Sequence, residues 1–347
     1  MVQINEKTQG LIIGKFMPPH KGHKYLIDFA RQYADKLTVL VCSIKSEPIP
    51  GEFRYKWMKE EFPDINIIHV TDENPQEPKG EDDKQFWQAW QDSIYKAMPE
   101  KADYFFASEN YGTKLADVLK MQFIPVDINR ELVPTSGTEI RNNPLINWKY
   151  ILPSARPYFT KRICIFGPES TGKSTLTKNL AKHFNTVYAS EYARGLLDLK
   201  DGQCNYEDMN KIAKGQIASE DALALQANKI LFCDTDLLTT IIWSDILFGK
   251  CPEWIKEKAE ERKYNLYLLL DTNVPFVPDK QRYGPNERQL SLERCIKELE
   301  SRKRKYVILS GSTWESRLEQ AITAVENILN KENLLNNGSY MNKQAVG

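Results

Sequence analysis

Apolar and polar positions along the chain fall into two stretches with the same grammar: an apolar strand, a glycine-containing loop, then an amphipathic helix. The first is LIIGKF (Leu11–Phe16), the loop MPPHKGH and KYLIDFARQYA. The second is RICIFG (Arg162–Gly167), the loop PESTGKS and TLTKNLAKHF. A unit of this kind opens a parallel α/β sheet, and its loop lies at the carboxyl edge where ligands bind.

Further apolar runs predict the remaining strands. In the first half these are Leu37–Ser43, Ile65–Val70, Asp103–Ser108 and Gln122–Asp127. In the second half they are Asn185–Ser190, Lys229–Asp236, Tyr264–Asp271 and Arg304–Gly311. Helical patterns alternate with them, so each half is expected to be α/β, a doubly wound parallel sheet. Between the halves lies ILPSARPY (Ile151–Tyr158), whose two prolines are expected to end one helix and disfavour another. The expected organisation is a domain over 1–152, a linker over 153–158, a second domain over 159–332 and a frayed tail over 333–347, rich in Asn, Gly and Lys.

Composition narrows the function classes. The 347 residues suit two domains, and 41% apolar content suits ordinary cores. Lys+Arg and Asp+Glu both number 47, so bulk charge gives no sign of a nucleic-acid or membrane partner. The basic run Lys303-Arg304-Lys305 reads as a solvated helix end before a strand. None of the six cysteines forms a Cys-x-x-Cys pair, and three lie in strand-like runs, as buried thiols of a reducing compartment do. MVQINEKTQG carries no apolar signal core, and no apolar run is long enough to span a bilayer, so the cytoplasm is expected. That opening segment is also too short for a helix-turn-helix.

The second half carries Gly167-Pro168-Glu169-Ser170-Thr171-Gly172-Lys173-Ser174, matching G-x-x-x-x-G-K-[ST] between a strand and a helix. Its glycines let backbone N–H groups converge on phosphate, and the helix start adds partial positive charge. Gly167, Glu169, Ser170, Thr171, Gly172, Lys173, Ser174 and Thr175 are the expected ATP loop. Lys173 would reach the β and γ phosphates, and Ser174 would ligate Mg²⁺. Asp234, at the end of an apolar strand, is the expected second Mg²⁺ anchor, and Asp234 and Asp236 are both expected substrate contacts. Glu191, Tyr192 and Arg194 follow the second strand, where an acceptor hydroxyl would enter; Glu191 and Asp234 are both candidate bases. Asp279–Arg288 suits a lid bringing Arg282 and Arg288 onto the transferring phosphoryl group. The half has no room for large coupling insertions and lacks N-K-x-D, so a small kinase fits better than a motor or GTPase.

In the first half, His20 and His23 sit three apart in GKFMPPHKGH at a strand-to-helix turn, so both imidazoles can face one phosphate. Gly14, Lys15, Phe16 and Met17 complete the loop. Charge on an α-phosphoryl group would be stabilised there while pyrophosphate leaves, with no covalent nucleophile. Thr135-Ser136-Gly137-Thr138-Glu139-Ile140-Arg141 opens a short helix late in the same domain. Ser136, Thr138 and Arg141 would converge on the same triphosphate. Trp87 and Trp90, three apart on a helix, belong to the core or stack on a flat cationic ring.

Taken with VPTSGTEIRNNP, GPESTGKST, SEYAR, FCDTDLLTT, DKQRYG and FWQAW, the chain resembles the NadR-type family, in which a nucleotidylyltransferase is joined to a P-loop kinase. The resemblance spans roughly residues 10–330. It implies a nicotinamide-mononucleotide adenylyltransferase of Rossmann-like fold followed by a ribosylnicotinamide kinase. Ribosylnicotinamide and ATP would give nicotinamide mononucleotide, and a second ATP would convert that to NAD and pyrophosphate. It further implies ATP as co-substrate, Mg²⁺, small-molecule partners only, and compatibility with a homo-oligomer. Lys15, His20, His23, Ser136, Thr138 and Arg141 would hold one ATP, and Trp87 or Trp90 would stack on nicotinamide. Arg54, in Pro-Gly-Glu-Phe-Arg, resembles archaeal-type adenylyltransferases and would join the nicotinamide site. Two rival readings are a coenzyme A synthesis fusion, pairing phosphopantetheine adenylyltransferase with dephospho-coenzyme A kinase, and a sensor that binds NAD and ATP without turnover.

Overall fold

A computed structural model of the chain describes residues 7–80, 83–275 and 288–341. Two compact units divide it, Met1–Ala155 and Arg156–Gly347. In the first, the order is β1 (Gln9–Gly14), α1 (Lys21–Tyr33), β2 (Lys36–Cys42), α2 (Gly51–Glu61), β3 (Asn66–Val70), α3 (Lys84–Ala97), β4 (Tyr104–Ala107), α4 (Tyr111–Leu119), β5 (Gln122–Pro125) and α5 (Gly137–Asn142). The strands lie in the order β3-β2-β1-β4-β5, and every pairing is parallel.

The strands are apolar almost throughout because both faces are covered. Successive residues alternate between two cores: Ile12, Val39 and Val41 pack on one side, Leu11, Ile13 and Leu40 on the other. The chain leaves β1 toward β2 on one side and returns to β4 on the other. Strand order reverses there, which puts the β1–α1 loop at the crevice where such sheets bind ligands.

The second unit runs α6 (Arg156–Phe159), β6 (Lys161–Phe166), α7 (Lys173–His183), β7 (Tyr188–Ala189), α8 (Tyr192–Asp198), α9 (Tyr206–Ala224), β8 (Ile230–Asp234), α10 (Leu237–Phe248), α11 (Glu253–Glu261), β9 (Leu266–Leu270), α12 (Arg288–Ser301), β10 (Tyr306–Leu309) and α13 (Trp314–Met341). Its parallel sheet has the order β10-β9-β6-β8-β7. Cys164 and Phe166 face one core, Ile163 and Ile165 the other. The central β6 therefore delivers its loop between the ends of β8 and β9.

Three expectations need correction. The proline-bearing boundary is not extended: Pro153–Ala155 forms a 3₁₀ turn and Arg156–Phe159 a helical one. Both prolines fall in a first turn, where a missing N–H costs nothing because no helical acceptor precedes it. The last helix does not stop at the expected domain end, residue 332, since α13 continues to Met341; extending an existing helix needs no new nucleus. The second strand of this half shrinks to Tyr188–Ala189, an edge strand paired only with β8 among the described residues.

All six cysteines are free thiols, five of them buried. Among the described residues, no helix is long and apolar enough to cross a membrane.

Candidate functional sites

His20 is the N-cap of α1, and its side chain does the capping. Its Nδ1 accepts the Gly22 N–H at 3.1 Å, and His23 Nδ1 accepts the His20 N–H at 3.2 Å. The rings stack with centroids 3.7 Å apart. With both Nδ1 atoms accepting, the proton of each neutral imidazole belongs on Nε2. Burial, then the Arg130 charge, lowers His20 from 6.5 to about 4. Burial, then His20, then Arg130, lowers His23 well below its ordinary value. Both rings are thus neutral donors at pH 7.

The same loop is held from two sides. Arg54 on α2 is wholly buried and donates to the carbonyls of Lys15 at 2.7 Å and Cys42 at 3.2 Å, and to Glu47 at 2.5 Å. It therefore ties the ends of β1 and β2 together and has no exposed surface for nicotinamide, contrary to expectation. Burial alone would raise the Glu47 carboxyl, but the Ile44 N–H and the Arg54 guanidinium outweigh it and hold it low. Lys15, half-exposed, rests on Glu47 at 3.2 Å. The side chains of Phe16 and Met17 are buried, so what they offer a ligand is backbone.

From the far end of the unit, Arg141 donates to the Met17 carbonyl and to Thr138 Oγ1 at 3.0 Å. Gly137 makes this possible: a Cβ there would stand 2.8 Å from the Met17 oxygen. Ser136 caps α5 through the Glu139 N–H at 3.1 Å. Lys15, His20, His23, Thr138 and Arg141 are thereby brought around one loop, although His20 and Arg141 are far apart in sequence.

Sequence reasoning passed over Arg130. The Asp127 carboxylate gathers the N–H groups of Glu131, Leu132 and Val133 at 2.9, 3.3 and 3.3 Å. Arg130 occupies that turn with φ 54° and pairs with Glu109 at 3.2 Å. Its charge is felt by both histidines. The only sequence signal was an Asp opening a short polar turn, which is common.

Trp87 and Trp90 are half-buried on α3 against the core that contains Leu11 and Phe105. Trp90 Nε1 donates to the Pro75 carbonyl at 3.0 Å. Trp87 Nε1 is buried with no hydrogen-bond partner. Of the pair, Trp87 alone keeps an unspent donor.

In the second unit, the β6–α7 loop takes backbone conformations that favour glycine at Gly167 (φ 135°) and Gly172 (φ 89°). A Cβ at Gly167 would stand 2.8 Å from the Leu270 carbonyl, and one at Gly172 would meet the Trp314 ring. Buried Arg317 donates to the Thr171 carbonyl at 3.0 Å, and Thr171 Oγ1 donates to the Pro168 carbonyl at 2.8 Å. Lys173 Nζ lies on the carbonyls of Gly167 and Pro168 at 3.1 and 2.9 Å, inside the loop a phosphate would fill.

Asp234, buried at the end of β8, accepts a hydrogen bond from Ser174, while its Oδ1 has no partner. Burial raises its carboxyl and Lys173 opposes that. A buried carboxylate oxygen left unsatisfied beside a serine hydroxyl fits a hard divalent cation. Among the described residues no group of three or more His, Cys, Asp or Glu could hold a metal; a Mg²⁺ that arrives with a nucleotide needs only one or two protein oxygens.

Asp236 plays a different part from the substrate contact expected of it. It caps α10 by accepting the N–H groups of Leu238 and Thr239 at 3.0 and 3.3 Å, and it accepts the Tyr267 hydroxyl at 2.8 Å. Burial pushes its carboxyl up to about 7. Its oxygens are spent inside the core.

Glu191 and Arg194 lie 3.8 Å apart and, with Glu169, Ser170 and Thr175 of the loop, line a cavity of about 190 Å³. Leu197, Met209, Ile212 and Trp243 line it as well, together with Gln216, Thr239 and Thr240. Trp243 was missed because α10 is apolar all round, so one aromatic residue in it gives no signal. Tyr192 is 42% exposed, and its ring lies on Gly215 of α9. Arg282 lies outside the described residues, as does the side chain of Arg288 at the start of α12.

Comparison with known proteins adds the lineage. Residues 11–143 match the cytidylyltransferase-like family, and residues 162–317 match a family of AAA domains. The trifunctional NAD biosynthesis/regulator protein NadR of Escherichia coli (strain K12) is 30% identical over 352 residues, covering 94% of this chain and 85% of the relative. Its Salmonella typhimurium counterpart is 28% identical over the same coverage. Crystal structures of a NadR protein with NAD and AMP-PNP, and with NR, share the fold with TM-scores of 0.75 and 0.77 at 23% identity, each over 93% of this chain and 96% of the other. The chain belongs to the NadR family.

Proposed function

We propose that this chain makes NAD in two ATP-dependent steps, as ribosylnicotinamide kinase and nicotinamide-nucleotide adenylyltransferase. The observation that carries the reading is that each unit of a NadR family member has its own phosphate-cradling strand-to-helix junction, one furnished with paired imidazoles and the other with a lysine-bearing glycine turn. The coenzyme A alternative is not favoured, because the whole-chain relatives are NAD biosynthesis proteins.

In the first unit Lys15, Arg141 and the Nε2–H groups of His20 and His23 would stabilise charge on the α-phosphoryl group as pyrophosphate departs. Neutral imidazoles suit this task, since they donate without needing a proton from solvent. Thr138 and the α5 amide groups would extend the anion site along the triphosphate. Trp87, with its unspent indole N–H, is the stronger candidate of the tryptophan pair to meet nicotinamide.

In the second unit the Gly167–Thr175 loop would cradle ATP, and Lys173 would move from its loop carbonyls to the β and γ phosphates. Ser174 and Asp234 would hold the Mg²⁺ that accompanies ATP, whose chemistry is charge neutralisation on those phosphates. Glu191 would accept the proton of the acceptor hydroxyl, and Arg194 would offset developing charge. Trp243 would pack against the aromatic ring of the acceptor.

The test is chromatographic analysis of products formed from ribosylnicotinamide, ATP and Mg²⁺. Nicotinamide mononucleotide should appear first and NAD second, with pyrophosphate released only with NAD. Turnover of phosphopantetheine but not of ribosylnicotinamide would overturn the reading.

A further inference from the structure

Gln216 on α9 is 3% exposed, and its amide is used in two directions. Oε1 accepts the backbone N–H of Tyr192 at 3.1 Å, and Nε2 donates to Glu220 Oε1 at 3.1 Å. Glu220, 1% exposed, is held in turn by Arg162 at 3.1 Å, Arg262 at 3.0 Å and the Tyr264 hydroxyl at 2.8 and 2.9 Å. A carboxylate so deeply buried persists only when paired and hydrogen-bonded.

This arrangement fixes which way the amide of Gln216 points. A flip would set its carbonyl against the Glu220 carboxylate and its NH₂ against the Tyr192 N–H, so both contacts would turn repulsive. The direction matters because of what Tyr192 is. As the first residue of α8 its N–H has no acceptor within the helix. An N-cap side chain reaches the N–H groups of the second and third helical residues, not the first, so this donor needs a partner from elsewhere. Here the N-cap is Glu191, which makes no side-chain capping bond, and its carboxylate lies on the cavity wall beside Arg194. The Tyr192 donor is satisfied from a neighbouring helix, by Gln216 of α9.

We propose that Gln216 is a positioning residue for phosphoryl transfer: anchored by Glu220, it holds the Tyr192 amide and so fixes the backbone from which Glu191 reaches the acceptor. The proposal rests on the kinase reading above.

The test uses the full chain and Gln216→Met, which nearly conserves volume and removes both hydrogen bonds. Kinase kcat should fall about tenfold or more, as small misplacements of catalytic groups do. The KM for ribosylnicotinamide should stay within about threefold, since Gln216 borders the cavity but both ends of its amide are engaged by Tyr192 and Glu220. ATP affinity of the second unit should be unchanged, which also shows that the variant folds. Amide hydrogen exchange at Tyr192 should be slow in the wild type and fast in the variant. An unchanged kcat, or a raised KM with kcat intact, would overturn the proposal; so would a Tyr192 amide that exchanges freely in the wild type. If the wild type fails to phosphorylate ribosylnicotinamide, the kinase reading falls, and the exchange measurement alone decides whether Gln216 anchors α8.

Discussion

His23 accepts the backbone N–H of His20 through Nδ1 at 3.2 Å while the two rings stack at 3.7 Å. His23 thus braces the His20 backbone, the His20 N–H fixes the His23 tautomer, the Gly22 N–H fixes that of His20, and both rings present Nε2–H as the only remaining polar group. His23→Ala removes the brace and a phosphate donor together. Adenylyl transfer should fall about 10²–10³-fold, the usual cost of losing a preorganised donor, with kinase kcat unchanged. Separate assays of the two half-reactions measure this.

The low pKa of His20 has a stability consequence. Burial and Arg130 move it from 6.5 to about 4, so the unfolded chain takes up this proton before the folded chain does. The stabilising contribution is complete above pH 6.5 and is lost as pH falls through about 4, amounting to about 3 kcal/mol. His20→Asn should therefore flatten the acid limb of first-unit thermal stability. Parallel curves for wild type and variant would show that the ring is not held neutral.

Gly137 sets the distance between the two halves of the first site. Gly137→Ala would force its Cβ to within 2.8 Å of the Met17 carbonyl, so α5 must move away. A loss of about 1–3 kcal/mol is expected from the overpacking. Adenylyl transfer should fall further than stability, because Arg141 would lose its seat on Met17. Unfolding curves and the KM for ATP separate the two effects.

Asp234 and Asp236, two residues apart, should behave oppositely. Asp234→Asn should abolish most kinase activity and raise the Mg²⁺ needed for what remains. Asp236→Asn should leave kinase activity intact, since an amide can still cap α10 and meet Tyr267. The Asp236 carboxyl is raised from 3.8 to about 7, so its folded-state contribution is present below pH 3.8 and is lost as pH rises through 7. Relative to wild type, Asp236→Asn should gain stability over that window, on the order of 4 kcal/mol at its end. Denaturant titration at pH 4 and pH 8 reads the difference.

Much of this was legible in the chain, and the division has a physical basis. The glycine turn at Gly167–Ser174 and the His20–His23 pair are local arrangements, whose geometry follows from spacing at a strand-to-helix junction. The parallel sheets were legible because strands covered on both faces are apolar throughout. What escaped was set by distant partners. Arg54 read as a ligand residue because nothing nearby announces that its guanidinium ends on the Lys15 carbonyl. Asp236 looked like Asp234 until Tyr267, from another strand, took its second oxygen. Arg130 and Gln216 matter through turns and helices that meet only in the fold.

Arg54 supplies a further check. Arg54→Met would leave Glu47 buried with Lys15 as its remaining cation, a change expected to cost about 3–5 kcal/mol of first-unit stability. A variant that unfolds like wild type but shows a raised KM for nicotinamide mononucleotide would return Arg54 to the binding site.

The claim that two separate nucleotide sites act in sequence is tested most directly by following ribosylnicotinamide through His23→Ala and Lys173→Ala. With ATP and Mg²⁺ present, His23→Ala should accumulate nicotinamide mononucleotide and stop. Lys173→Ala should leave ribosylnicotinamide untouched yet still convert added mononucleotide to NAD. Loss of both half-reactions in either folded variant, or NAD formed from ribosylnicotinamide by Lys173→Ala, would contradict it.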